Sequence, residues 1–232
     1  MKWLKKLQHS IRGLNVAVLR FPLTTIFIVL AALVKMYSIH TEIDMTKLFF
    51  TFLVGAFLST VSQVLYERIF SGTSFRYGLY LGVVILTVGY YFINSELEIK
   101  TFVALFALFI AFIWIPVIKS KVTFNQSFMI AFKAFYISLF FSIVIFAGLA
   151  AIIGATDLLI FNLDNKIYLH SANIVFVLIF PIYFLSLNPK YITRMDENNG
   201  EDEINRKLET IYAKAKCPKM LQVLLSYIII PL

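Results

Sequence analysis

The sequence predicts an all-α, polytopic membrane protein with about six transmembrane helices and the start of a seventh. Three observations carry that prediction. Ala134 to Thr156 is a run of 23 residues without a charge, and as a helix rising about 1.5 Å per residue it crosses a hydrocarbon core of about 30 Å. The 232-residue chain is only 15% charged and has a mean hydropathy of +0.83, whereas soluble domains carry about 25% charged residues. Lys and Arg also collect in alternate loops between apolar runs, as they do in multi-pass proteins.

Residues 1–20 form a basic amphipathic N-terminal segment. Trp3, Leu4, Leu7, Ile11, Leu14 and Val18 recur at helical spacing, with Lys5, Lys6 and Arg12 available for the other face. This pattern predicts a helix lying in the membrane interface. No small-residue cleavage site follows the first apolar run, so the segment reads as a retained anchor.

Residues 21–188 form the six-helix transmembrane domain, with spans expected at 21–38, 48–66, 77–94, 101–118, 135–160 and 169–187. Pro22 opens the first span, where a missing N–H costs nothing. Tyr90, Tyr91 and Phe92 close the third as an aromatic belt. Pro181 inside the sixth predicts a kink. With these spans, 17 of the 21 basic residues fall on one side, and the positive-inside pattern makes that side, with the N-terminus, cytoplasmic.

Residues 189–219 form a cytoplasmic loop. Its acidic MDENNGEDE run gives way to an amphipathic helix with Ile204, Leu208, Ile211 and Tyr212 on one stripe, resting on the membrane or on neighbouring spans. Residues 220–232 turn apolar again for thirteen residues, short of the roughly 20 needed to span, and read as the start of a further span.

Polar groups inside spans are the first candidates for function, because each is costly in hydrocarbon. Ser59, Ser62 and Gln63 could line a solute path; hydrogen bonding to a neighbouring helix is their commoner use. Ser138 and Ser142 invite the same two readings. Asp157 closes the longest span, as an interface anchor or as a group coupled to protons or cations. Ala147, Ala151 and Ala155, with Ala150 and Gly154 beside them, form small-residue rows that let helix backbones approach. They suit packing within the chain or a homo-oligomer face.

His40, Glu42 and Asp44 match no metal-ligand spacing, and the lone Cys217 excludes an internal disulfide. No phosphate-binding loop and no hydrolase motif is present, so the sequence offers no catalytic residue, no cofactor and no metal site. The net charge of +8 sits in membrane-flanking loops, and predicts lipid rather than nucleic acid as its partner. The expected function is that of an integral membrane protein with a structural, accessory or sensory role. A permease without its own ATPase is the alternative.

Three stretches resemble the bacterial multi-pass proteins of the domain of unknown function 4153 family. They are Arg20-Phe21-Pro22-Leu23, then Asp157 to Phe161 with Ile167-Tyr168-Leu169 and Pro181 to Leu185, then Leu225 to Leu232. The resemblance implies a cytoplasmic-membrane protein whose relatives continue past this point, and it brings no catalytic residues with it.

Overall fold

The computed structural model describes residues 14–69, 73–93, 99–118, 120–159, 163–191 and 201–216. Helix dominates, no strand occurs among the described residues, and six helices are long and apolar enough to cross a membrane. They are α1 (Pro22–Thr41), α2 (Thr46–Ile69), α3 (Thr73–Ile93), α4 (Ile99–Trp114), α5 (Phe124–Leu159) and α6 (Lys166–Leu187). A seventh, polar helix, α7 (Glu201–Ala215), follows. The chain is a multi-pass membrane protein, and its outward apolar side chains face lipid. The short connections turn each span back against the last, so the helix ends gather into two groups. The group holding Arg20, Arg68, Arg76 and Lys214 is called the basic end below.

α2 lies at the centre, against α1, α3 and α4, and buries small or polar residues: Gly55, Ala56, Ser59, Thr60 and Gln63. Small residues suit an interface in lipid, where close backbone approach replaces the hydrophobic drive. At Gly55 a Cβ would lie 2.9 Å from Thr87 and 3.1 Å from Phe27. Three helices meet there.

Residues 14–20 are helical and run almost directly into α1. The break falls at Phe21, with φ −120° and ψ 60°, because a residue before proline is driven out of the helical region. The apolar stripe differs from the expected one: Ala17 and Phe21 are buried with Phe112, Ile113 and Leu185, while Val18 is exposed. This part of the N-terminal segment therefore packs on the bundle. The rest of that segment, residues 1–13, lies outside the described residues, as do residues 192–200 with the first part of the acidic run, Cys217 and the apolar residues 220–232; the last three acidic residues of the run, Glu201 to Glu203, already belong to the first turn of α7.

The fifth helix starts eleven residues before the expected span, at Phe124, and is 36 residues long. Its start is fixed by a capping box: Gln126 Oε1 accepts the Thr123 N–H at 2.9 Å and Thr123 Oγ1 accepts the Gln126 N–H at 3.4 Å. At about 1.5 Å per residue α5 is roughly 54 Å long, so its first turns project beyond the hydrocarbon layer at the basic end. α7 rests on that projection. Val122, Ile130, Tyr191, Leu208 and Ile211 form the shared core. Tyr212, expected on the same stripe, is 41% exposed, and Ala215 packs there instead.

α6 widens to a π-helical turn over Ile174–Ile179, just before Pro181. Proline cannot donate to the preceding turn and its ring crowds that carbonyl, and the local widening absorbs the misfit. The small-residue rows divide between two environments. Gly154 faces Tyr168 of α6, whereas Ala147, Ala151 and Ala155 are exposed, so packing within the described chain accounts only for the row that holds Gly154.

Candidate functional site

The richest polar constellation lies at the basic end and is built around Glu67. Arg20 stands just before the Phe21 break, which turns its side chain across α2. Its Nη2 and Nε donate to the two carboxylate oxygens of Glu67, at 2.7 and 3.0 Å. Both side chains are mostly buried, 13% and 12% exposed. A two-point guanidinium–carboxylate pair of this kind is strong and sets orientation as well as distance.

The network continues sideways. Gln63, one turn before Glu67, donates through Nε2 to Glu67 Oε1 at 3.2 Å. Its own Oε1 accepts the Tyr80 hydroxyl at 2.9 Å, and the Tyr80 oxygen accepts Arg76 Nε at 2.9 Å. A single chain of bonds thus joins the residues before α1 to α2 and α3. Arg20 Nη1 adds a bond to the Asn188 carbonyl at 3.2 Å, bringing in the end of α6.

Around this network, cations close helix C-termini. The last carbonyls of a helix lack partners and carry partial negative charge, so a cation there satisfies both needs. Arg20 and Lys214 take the Asn188 and Leu187 carbonyls at the end of α6. Arg68 Nε donates to the Ile118 carbonyl beyond α4 at 2.7 Å. Lys133, on the projecting turns of α5, donates to the Lys214 carbonyl at 2.7 Å and to that of Lys216. Burial, with the Arg20 charge adding to it, lowers the Lys214 ammonium below its ordinary value. Tyr191, packed beneath α7 with its hydroxyl 3.4 Å from Ser127 Oγ, is raised by burial.

Deeper in the bundle, Thr24 Oγ1 donates to Ser59 Oγ at 3.2 Å and lies 3.2 Å from Thr60 Oγ1. A cavity of about 70 Å³ beside them lies between α1, α2, α4 and α6, and its lining is apolar except for Thr24 and Thr60.

The structure places the sequence-predicted candidates as follows. Gln63 and Ser59 are committed to helix–helix hydrogen bonds, the commoner of their two expected uses. Ser62 faces a groove between α2 and α3. Ser138 Oγ donates back to Ala134, and Ser142 Oγ is buried with no partner in its surroundings. Asp157 is far from the Glu67 network, at the opposite end, where it accepts the Leu163 N–H at 2.6 Å and shapes the loop into α6. Glu42 pairs with Lys166 at 2.7 Å, Asp44 caps Thr46, and no group of three metal-ligating side chains occurs among the described residues.

Sequence reasoning missed Glu67, Arg20, Tyr80 and Thr24. One signal could have found Glu67: it is the only acidic residue on the basic side before residue 189. A carboxylate set alone among cations at a span end predicts an ion pair. No protein-family model, no curated protein and no solved structure matches this chain.

Proposed function

We propose that the chain is a structural or accessory protein of the bacterial cytoplasmic membrane, a scaffold that holds α5 and α7 as a rigid platform on its cytoplasmic face. The observation that carries this reading is how the intramembrane polar groups are used. Thr24, Ser59, Thr60, Gln63 and Glu67 all spend their hydrogen bonds on joining helices. A permease instead presents paired charges or broken helices to a path near the midplane. The positive-inside count supports a cytoplasmic N-terminus, and the resemblance to the domain of unknown function 4153 family supports the bacterial membrane.

Two experiments test this. On a Cys217→Ser background, cysteines at Asp44, Glu98 and Asp164 should label from outside intact cells, and cysteines at Ser74, Ser120 and Asn199 should not; the reverse pattern overturns the orientation. Proteoliposomes holding the full chain should take up amino acids, sugars and monovalent cations no faster than empty ones. Uptake that is lost with Gln63→Leu or Asp157→Asn would replace the scaffold with a permease.

A further inference from the structure

One face of α5 begins where α7 ends. Lys133 donates to the carbonyls of Lys214 and Lys216, so the chain leaves α7 against the turn of α5 that holds Lys133. Ala215 packs on the core that holds Ile130, one turn earlier on α5. Lys133 is also the last charge before the uncharged run from Ala134 to Thr156, which places this exit at the membrane surface of the basic end.

From Lys133 a stripe of side chains continues along α5: Ile137, Phe140, Val144, Ala147 and Ala151. The steps alternate between four and three residues, the spacing of a seam along which a second helix packs. Ile137, Phe140 and Val144 are at least half exposed, and Ala147 and Ala151 are exposed too. The opposite face, with Ala134, Ser138 and Ser142, is buried in the bundle. Exposed apolar side chains alone mark only a lipid face. Alanines in such a seam add something, because small residues let another helix backbone come close.

The chain itself supplies an apolar segment at the head of this seam. After Lys216 come Cys217, Pro218 and Lys219, and then Met220 to Leu232 is thirteen residues without a charge. As a helix it is about 20 Å long, enough to cover the seam from Ile137 past Ala147. Attachment beside Lys133 keeps it near this face at an effective concentration on the order of millimolar, an advantage that a second copy does not share. We propose that residues 220–232 enter the membrane parallel to α5 and pack along the Ile137, Phe140, Val144 and Ala147 seam. The interface between α5 and α7 is thereby continued into the bilayer.

The test is cysteine crosslinking of the full chain in native membranes, on the Cys217→Ser background. Phe140→Cys is combined with single cysteines from Leu221 to Leu232, oxidised, and read as intramolecular crosslink by electrophoresis. Two pairs bracket the yield. Phe146→Cys with Phe176→Cys, whose native rings lie 5.6 Å apart, sets that of a packed pair. Leu81→Cys on the exposed face of α3, with Leu224→Cys, sets the background. Crosslinking to Phe140→Cys should peak near Leu224, recur every three or four positions and exceed the background pair several-fold. Moving the α5 cysteine to Ala147 should move the peak about seven residues toward Leu232, because parallel helices rise together. Background yields throughout would leave the seam to lipid, and a peak that moves the other way would reverse the helix. A disulfide-linked dimer from Phe140→Cys alone would give the seam to a second copy. Each of these three results overturns the assignment.

Discussion

At the basic end Arg20 reaches Glu67 and Asn188, 47 and 168 residues away in sequence. At the opposite end Asp44, Asp157 and Asp164 accept backbone N–H groups two, six and two residues away. The two ends hold the same residue types, but one uses them to fasten distant helices and the other to shape loops. Burial follows the same division. The Arg20–Glu67 side chains are 13% and 12% exposed, whereas Lys166–Glu42, a long-range ion pair of the far end, is 34% and 75% exposed. Charge in a membrane protein is therefore informative less by its presence than by whether it has been withdrawn from water.

The largest expected effect comes from unbalancing the buried pair. Arg20→Ala leaves Glu67 buried without its cation and the Asn188 carbonyl without its donor. It should lower unfolding free energy by about 3–5 kcal/mol, read by denaturant titration in micelles. Next comes Gly55→Val. The new side chain must displace Thr87, 2.9 Å from the first added carbon, and should cost about 1–3 kcal/mol.

Lys133→Ala sharpens the comparison from within the basic end. Its loss leaves the carbonyls of Lys214 and Lys216 without their cation. The six-span bundle should keep its stability, while hydrogen exchange and proteolysis in α7 rise several-fold. The smallest effect belongs to the far end. The Lys166 hydrogen bond and charge hold the Glu42 carboxyl below its ordinary 4.5. A lowered folded value means that the contribution is complete above 4.5 and is lost as pH falls through the lowered value. Glu42→Gln should leave the neutral-pH melting temperature unchanged within error, and any difference from wild type should vanish in acid.

Architecture was largely legible in the chain because the bilayer imposes one length and one polarity on every span. Six spans and their alternation followed from that alone. What lay outside hydropathy was harder to read. The start of α5 is set by Thr123 and Gln126, a local capping signal weaker to the eye than the apolar run after it. The site was legible only in part. Gln63 and Ser59 stand out as polar residues in apolar company, but their partners, Tyr80 and Thr24, come from other helices. Only the packing of α1, α2 and α3 brings them together. Asp157 drew attention by its position at the end of the longest span, and that position made it a loop-forming residue.

The most direct test of the account is a double-mutant cycle on Arg20→Ala and Glu67→Ala, read as unfolding free energies in one micelle composition. If this pair fastens the bundle, the two losses should be strongly non-additive, with a coupling energy of about 2–3 kcal/mol. Additive losses would mean that the two side chains act separately, and that the basic end is not held together by this network.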